Sequence, residues 1–239
     1  MRNNVRNKIN MFIQQFLLKL GYRVTRIGKK SNPISYWEED IFFSDKMQKI
    51  IGYTRVDNVR CFMIYQFAKQ ANNLYGDVAE VGVYKGGTAR LLAEMFESQN
   101  KIVHLFDTFS GMPSTDPDVD IHKEGAINDT SLESVKSYLS EYRNVRLYQG
   151  IFPMTAPRQD LSFCLVHIDV DIYKSALDCC TYFYPRMVNN GVMIFDDYGF
   201  LNCPGVKKAV DAFFSDKPEK PFYLPTGQCI VMRIATEKD

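Results

Sequence analysis

Four carboxylates and one glycine-rich turn are the residues whose types and spacing could do chemistry. Asp169-Val170-Asp171 follows the apolar run Phe163 to Ile168, and Asp196-Asp197 follows Val192 to Phe195. Residues two apart at a strand end point the same way, so Asp169 and Asp171 are expected to face one cleft, with Asp196 and Asp197 arriving from the next strand. Three or four carboxylates gathered without a run of Lys or Arg repel one another unless a hard divalent cation neutralises them. Oxygen-only ligands point to Mg2+, with Ca2+ or Mn2+ as the other choices. The competing reading is that some of these acids cap helices starting near Tyr173 and after Asp197, where Asp is favoured.

The second feature is Glu80-Val81-Gly82-Val83-Tyr84-Lys85-Gly86-Gly87-Thr88, a turn whose glycines let a ligand approach the backbone ahead of a helix. Gly86 and Gly87 follow Gly82 at spacings that break G-x-G-x-x-G, which weighs against a dinucleotide pyrophosphate, and no G-K-[ST] closes a P-loop. A plain strand-to-helix bend is the bland alternative. Glu80 puts an acid at the first strand tip, where a cationic cofactor such as S-adenosylmethionine is better tolerated than a pyrophosphate. Asp107, ending the second strand, can bind the ribose hydroxyls of any adenosine cofactor.

Other candidates carry less. Asp116, Asp118 and Asp120 open like an EF-hand loop, but Ile121 stands where Gly is wanted and Ile127 where the bidentate Glu should be. His104 and His167 fall within apolar strands and read as core or supporting residues. His122 lies in the long polar stretch Ser114 to Asp129, the length of a lid or binding loop. No Ser-His-Asp order and no G-x-S-x-G elbow appears. The six cysteines sit among apolar neighbours without C-x-x-C spacing and read as buried thiols.

These residues need a scaffold, and the chain from Gly76 onward supplies one. Strands are expected at Val78–Val83, Ile102–Phe106, Val145–Tyr148, Phe163–Ile168 and Val192–Phe195. Helices are expected near 88–97, 131–141 and 173–188, and after Pro204. This alternation predicts an α/β fold with a mostly parallel sheet covered by helices on both faces. Phe222–Leu224 and Cys229–Ile234, around Pro225-Thr226-Gly227, predict an antiparallel hairpin at the sheet's end. Ligands of such sheets bind beyond the strands' carboxyl ends, where Asp107, Asp169, Asp171, Asp196 and Asp197 lie.

The 239 residues, 46% of them apolar and 24% charged, suit one large globular domain with a cleft. The net charge of +1 offers no electrostatic reason to expect nucleic acid. Residues 1–30 hold eight Lys or Arg and no acid, leaving 21 basic against 28 acidic residues in the rest. Within that basic segment, residues 8–20 have the periodicity of an amphipathic helix ended by Gly21. Its apolar face is expected to pack on the main domain or on a second subunit of a homo-oligomer, with contact to a membrane surface as the alternative. The expected division is residues 1–46, a basic helix and linker, and 47–239, the catalytic domain. No apolar run approaches the roughly 20 residues of a spanning helix, and no secretory signal is apparent, so a cytoplasmic protein is expected.

Together, the motifs resemble the S-adenosylmethionine-dependent methyltransferases, and more narrowly the macrocin O-methyltransferase family. The resemblance runs from about Met47 to the C-terminus and rests on Arg55-Val56-Asp57-Asn58, the block Gly76 to Gly87, Asp107-Thr108-Phe109-Ser110-Gly111-Met112-Pro113, Gly150-Ile151-Phe152, Asp169-Val170-Asp171-Ile172-Tyr173-Lys174-Ser175 and Phe195-Asp196-Asp197-Tyr198-Gly199. It implies a Rossmann-like class I methyltransferase fold with a seven-stranded sheet. It also implies a cofactor site drawn from Glu80, Gly82, Tyr84, Gly86, Gly87, Thr88, Asp107, Thr108, Gly150, Phe152 and Asp169. By the same resemblance Asp169, Asp196 and Asp197 would hold Mg2+ and Asp171 would be the general base. The implied reaction is methylation of a sugar hydroxyl in a glycan or glycosylated natural product, releasing S-adenosylhomocysteine. A catechol-type enzyme acting on vicinal phenols, or a non-catalytic nucleotide-binding or scaffold relative, are the alternatives.

Overall fold

The computed structural model describes residues 36–235. By internal contacts the chain divides into Met1–Tyr36 and Trp37–Asp239, and the second unit holds the sheet. The amphipathic helix expected at 8–20 lies outside the described residues.

Seven strands form one sheet: β1 (Asp77–Val81), β2 (Val103–Asp107), β3 (Val145–Gln149), β4 (Phe163–Ile168), β5 (Met187–Phe195), β6 (Phe222–Tyr223) and β7 (Cys229–Met232). Their order is β3-β2-β1-β4-β5-β7-β6. The first five run parallel, β7 is antiparallel to β5, and β6 pairs antiparallel with β7 as the expected hairpin. The helices of seven residues or more are α1 (Ile41–Ile50), α2 (Asn58–Ala71), α3 (Gly87–Phe96), α4 (Leu132–Tyr138), α5 (Tyr173–Phe183) and α6 (Pro204–Phe214).

Period-two alternation along the strands builds two cores. Val78, Val103, Leu165 and Ile194 point to one face and pack with Phe43, Ile50, Ile64 and Leu92 from α1, α2 and α3. Ala79, Phe106, Val166 and Phe195 point to the other and meet Cys180, Phe183, Val210 and Phe214 from α5 and α6. Phe43 and Met47 of α1 are both buried, so this helix runs into the core on either side of residue 46. All six cysteines are free and buried, as their surroundings predict.

Three local differences from the sequence reading have physical causes. The first strand ends at Val81 rather than Val83, because Gly82 turns at φ +89 and the N–H groups of Val83 and Tyr84 leave the ladder for the Asp107 carboxylate. The helix expected to reach 188 stops at Phe183. A 3-10 turn, Tyr184–Arg186, with Pro185 in it, delivers the chain into β5 at Met187, five residues earlier than its apolar core suggests. Helix α2, which no expectation covered, is capped by Asp57, whose Oδ1 accepts the N–H groups of Val59 and Arg60 at 3.0 Å each.

Candidate active site

A cavity of about 340 Å3 opens beyond the carboxyl ends of β1, β2 and β4. Gly82, Tyr84, Thr88, Asp107, Thr108, Gly150, Phe152, Asp169, Asp171 and Asp197 line it, as does Arg60 from α2. The other predicted residues stand behind this wall. Glu80 is fully buried against His167, and Gly86, Gly87 and the buried Asp196 are not among the residues that line the cavity.

The glycines of the turn serve packing as much as ligand approach. A Cβ on Gly82 would fall 1.8 Å from the carbonyl oxygen of Asp169, so the turn can cross the end of β4 only without a side chain. A Cβ on Gly87 would meet the backbone of Tyr53 and Thr54 at 2.8–2.9 Å, which seats α3 against the segment before α2. Asp107 joins the two strand tips. Its Oδ2 accepts Val83 N (2.7 Å) and Tyr84 N (2.9 Å), and its Oδ1 accepts Phe109 N (2.7 Å). Thr108 Oγ1 also lies 3.5 Å from Oδ1, but its one proton goes to the Gly111 carbonyl at 2.5 Å, so Oδ1 keeps a lone pair for one ligand hydroxyl.

The aspartates separate into two groups. Donor oxygens of Asp169, Asp196 and Asp197 all lie within 4.8 Å of one another. Burial, followed by the charges of Asp197, Asp196 and Asp171, pushes Asp169 well above the ordinary carboxylate range; burial, with Asp171 and Asp196, does the same to Asp197. Asp196 goes the other way. Burial alone would raise it, but the hydrogen bond and charge of His167, the Arg60 guanidinium and Gln228 hold it low. Its Oδ2 accepts from Arg60 Nη1 and its Oδ1 from Gln228 Nε2 at 2.8 Å. Asp169 and Asp197 thus carry the uncompensated charge of the trio. An oxygen-only set with surplus negative charge, two of its members buried and Asp169 half-buried at the cavity wall, fits a hard divalent cation.

Asp171 stands apart from this trio. It lies three residues beyond β4 at φ +60, where strand alternation no longer sets direction. Its N–H donates to Asp197 Oδ2 (3.0 Å), which fixes its backbone to the trio, while its side chain turns to Cys203 and His122. Cys203 Sγ donates to Asp171 Oδ1 at 3.3 Å, and His122 Nε2 lies 3.7 Å from the same oxygen. Burial, with the charges of Asp197 and Asp171, pushes the Cys203 thiol far up. Among the described residues no hydrogen bond is made to Asp171 Oδ2. The acids do not cap the following helices: Ile172 and Cys203, the N-caps of α5 and α6, give no side-chain cap bond.

The cap of α5 comes from a residue that the sequence reading assigned only to a rejected calcium loop. Asp120 Oδ1 accepts Tyr173 N at 2.8 Å and its Oδ2 accepts Asp116 N at 3.1 Å. Gly205 makes room, since a Cβ there would sit 2.2 Å from Asp120 Oδ1. At the far end of the same loop, Asp129 accepts from Tyr84 Oη (2.8 Å) and Lys85 Nζ (2.7 Å). The loop is thus tied down at Asp120 and at Asp129, and His122 and Ile127 between these points are carried into the cavity wall. Asp120→Ala is expected to destabilise the fold by about 0.5–2 kcal/mol, the value of a lost helix cap, and to speed tryptic cleavage at Lys123. Thermal denaturation and limited proteolysis check this.

Sequence reasoning also missed Arg60 and underrated His167. Arg60 is placed by the cap of α2 and by Asp57 Oδ2, 3.0 Å from its Nε, and it stacks over Phe200 at 4.8 Å. The Asp57-Asn58 pair ahead of a long apolar-periodic run was the available signal. His167 is fully buried, with Nδ1 2.8 Å from Glu80 Oε1 and Nε2 3.5 Å from Asp196 Oδ1. Those two carboxylates overcome its burial and raise it to about 9.

The fold is that of Rossmann-like class I methyltransferases, and the solved structure of the O-methyltransferase NovP matches it with a TM-score of 0.67 at 26% identity over 77% of this chain and 83% of that one. Residues 43–220 match the macrocin O-methyltransferase family, and the chain belongs to that family. It is 29% identical over 181 residues to the demethyldecarbamoylnovobiocin O-methyltransferase of Streptomyces niveus, covering 69% of this chain and 66% of that protein. It is 25% identical over 169 residues to the 8-demethyl-8-(2,3-dimethoxy-alpha-L-rhamnosyl)-tetracenomycin-C 4'-O-methyltransferase of Streptomyces olivaceus, covering 64% of each. The matched region is therefore just under two thirds of the length of these relatives. No helix among the described residues is long and apolar enough to cross a membrane.

Proposed function

We propose that this chain is an S-adenosylmethionine- and Mg2+-dependent O-methyltransferase acting on a sugar hydroxyl of a glycosylated small molecule. The observation that carries the reading is the cavity itself, which sets the glycine turn and Asp107 against the Asp169–Asp196–Asp197 trio and Asp171. Family membership supports methyl transfer, and the S. olivaceus relative, named for 4'-O-methylation of a rhamnosyl compound, supports a sugar acceptor.

In this reading the Gly82–Tyr84 turn, Thr108, Gly150 and Phe152 surround the cofactor, and Asp107 Oδ1 accepts from one ribose hydroxyl. Asp169, Asp196 and Asp197 would hold Mg2+, which supplies Lewis-acid polarisation of acceptor oxygens. Asp171 Oδ2, to which none of the described residues donates a hydrogen bond, takes the acceptor proton. Its backbone bond to Asp197 keeps the carboxylate registered with the trio, and the loop carrying His122 and Ile127 walls one side of the cavity. Leu201, almost fully exposed between the cavity-lining Phe200 and Asn202, offers an apolar contact to an aglycone.

Thermal unfolding with S-adenosylmethionine, S-adenosylhomocysteine or NAD, each with Mg2+ or EDTA, tests the cofactor. Either adenosyl ligand should stabilise the fold by about 2.7 kcal/mol at a hundredfold excess over its dissociation constant, and NAD should not. No shift with either adenosyl ligand overturns the reading. Radiolabelled methyl transfer to rhamnosides and catechols then separates sugar from phenol acceptors.

A further inference from the structure

Next to the carboxylate trio, the described residues hold a second group of metal-ligating side chains, of different chemistry. His122 from the cavity loop, Asp171 from the β4–α5 turn and Cys203 from the start of α6 bring one nitrogen, one oxygen and one sulfur together. The separations are 3.6 Å for Cys203 Sγ to His122 Nε2, 3.3 Å for Cys203 Sγ to Asp171 Oδ1 and 3.7 Å for His122 Nε2 to Asp171 Oδ1. Tetrahedral Zn2+, with bonds of about 2.3 Å to sulfur and 2.0–2.2 Å to nitrogen and oxygen, requires donor separations of roughly 3.4–3.6 Å. All three edges are within a few tenths of an ångström of that, and the one contact a metal would displace at His122 Nε2 is the Asn202 Nδ2 amide at 3.2 Å.

We propose that His122, Asp171 and Cys203 form a Zn2+ site distinct from the Asp169–Asp196–Asp197 site, and that zinc bound there inhibits the enzyme. The donor set selects the metal, because thiolate and imidazole favour Zn2+ and disfavour Mg2+, while the all-oxygen trio has the opposite preference. The site is pre-organised: Asp120, two residues from His122, is pinned to Tyr173 N, and Asp171 N to Asp197 Oδ2. His122 and Asp171 also line the cavity, so the fourth position opens toward it and can take water. Binding displaces the Cys203 thiol proton to solvent and leaves a sulfur–zinc bond. Zinc would then occupy the carboxylate that the proposed reaction needs as base and clamp the loop over the cavity. Only this inhibitory consequence rests on the methyltransferase reading.

The test is titration of EDTA-stripped protein with Co2+, followed by displacement with Zn2+. One equivalent of Co2+ should give a thiolate-to-cobalt charge-transfer band and the strong visible bands of a four-coordinate ion, both abolished by zinc. Cys203→Ser, which keeps the side-chain shape, should remove the charge-transfer band, and His122→Ala should weaken cobalt binding by about a hundredfold or more, beyond the loss of an outer hydrogen-bond partner. Asp169→Asn should leave the band in place. A missing band in the wild-type protein, or an undiminished one in Cys203→Ser, overturns the site. The S-adenosylhomocysteine thermal shift, run on the same samples, reports on the methyltransferase reading independently. Zinc added against excess Mg2+ should inhibit methyl transfer by the wild-type protein and inhibit Cys203→Ser far less; equal sensitivity overturns the inhibitory role.

Discussion

Asp171→Asn is expected to lower kcat by roughly 10²–10⁴-fold, the contribution of a positioned general base, while folding and S-adenosylhomocysteine affinity stay close to wild type. Asn is the informative replacement because residue 171 sits at φ +60, a conformation that Asn tolerates nearly as well as Asp. Ala at this position would add backbone strain of about 1–2 kcal/mol and confuse a lost proton acceptor with a displaced turn. The amide retains an oxygen facing Cys203 Sγ and leaves the N–H bond to Asp197 intact, so the change is confined to basicity. Single-turnover methyl transfer, a binding titration and a thermal melt on the same variant separate chemistry from structure. Full activity in Asp171→Asn would remove this residue from the mechanism.

The second large effect concerns stability. His167 is buried between Glu80 and Asp196 and is raised from its ordinary 6.5 to about 9. Its folded-state value exceeds its unfolded one, so the stabilisation is complete below about pH 6.5 and is lost as the pH rises through about 9. The difference is worth on the order of 3 kcal/mol. His167→Leu leaves the buried Glu80 carboxylate without its cation and should destabilise the fold by about 3–5 kcal/mol. His167→Gln retains a donor without the charge and should flatten the pH dependence. Urea denaturation of EDTA-treated protein between pH 6 and 9.5 measures both. An equally steep loss of stability above pH 7 in His167→Gln would show that another group is responsible.

What was legible in the sequence is what depends on neighbours along the chain. Alternating apolar runs and helical patterns revealed the succession of strands and helices and the terminal hairpin, because period-two and period-3.6 burial are local properties of each segment. The acids at strand tips were legible for the same reason, since parallel strands bring their carboxyl ends to one edge of the sheet. The predicted residues Asp107, Asp169, Asp171 and Asp197 do meet at one cavity. How they divide there was not legible. Asp171 leaves the trio because the chain turns at positive φ after β4, and the backbone of that turn is set by Asp197, 26 residues away.

Only the tertiary structure decided which charges are compensated. Arg60 reaches Asp196 across 136 residues and His167 reaches Glu80 across 87, so one carboxylate of the trio is neutralised by protein while two are not. The cap of α5 likewise comes from Asp120 in a distant loop, through a gap that Gly205 leaves in α6. The cysteine count showed no zinc spacing, yet folding places Cys203, His122 and Asp171 at tetrahedral separations. Composition and periodicity report what each residue prefers to be near, water or the core. Charge compensation and ligand geometry depend on distances of a few ångströms between segments far apart in sequence, and these arise only once the sheet has brought the segments together.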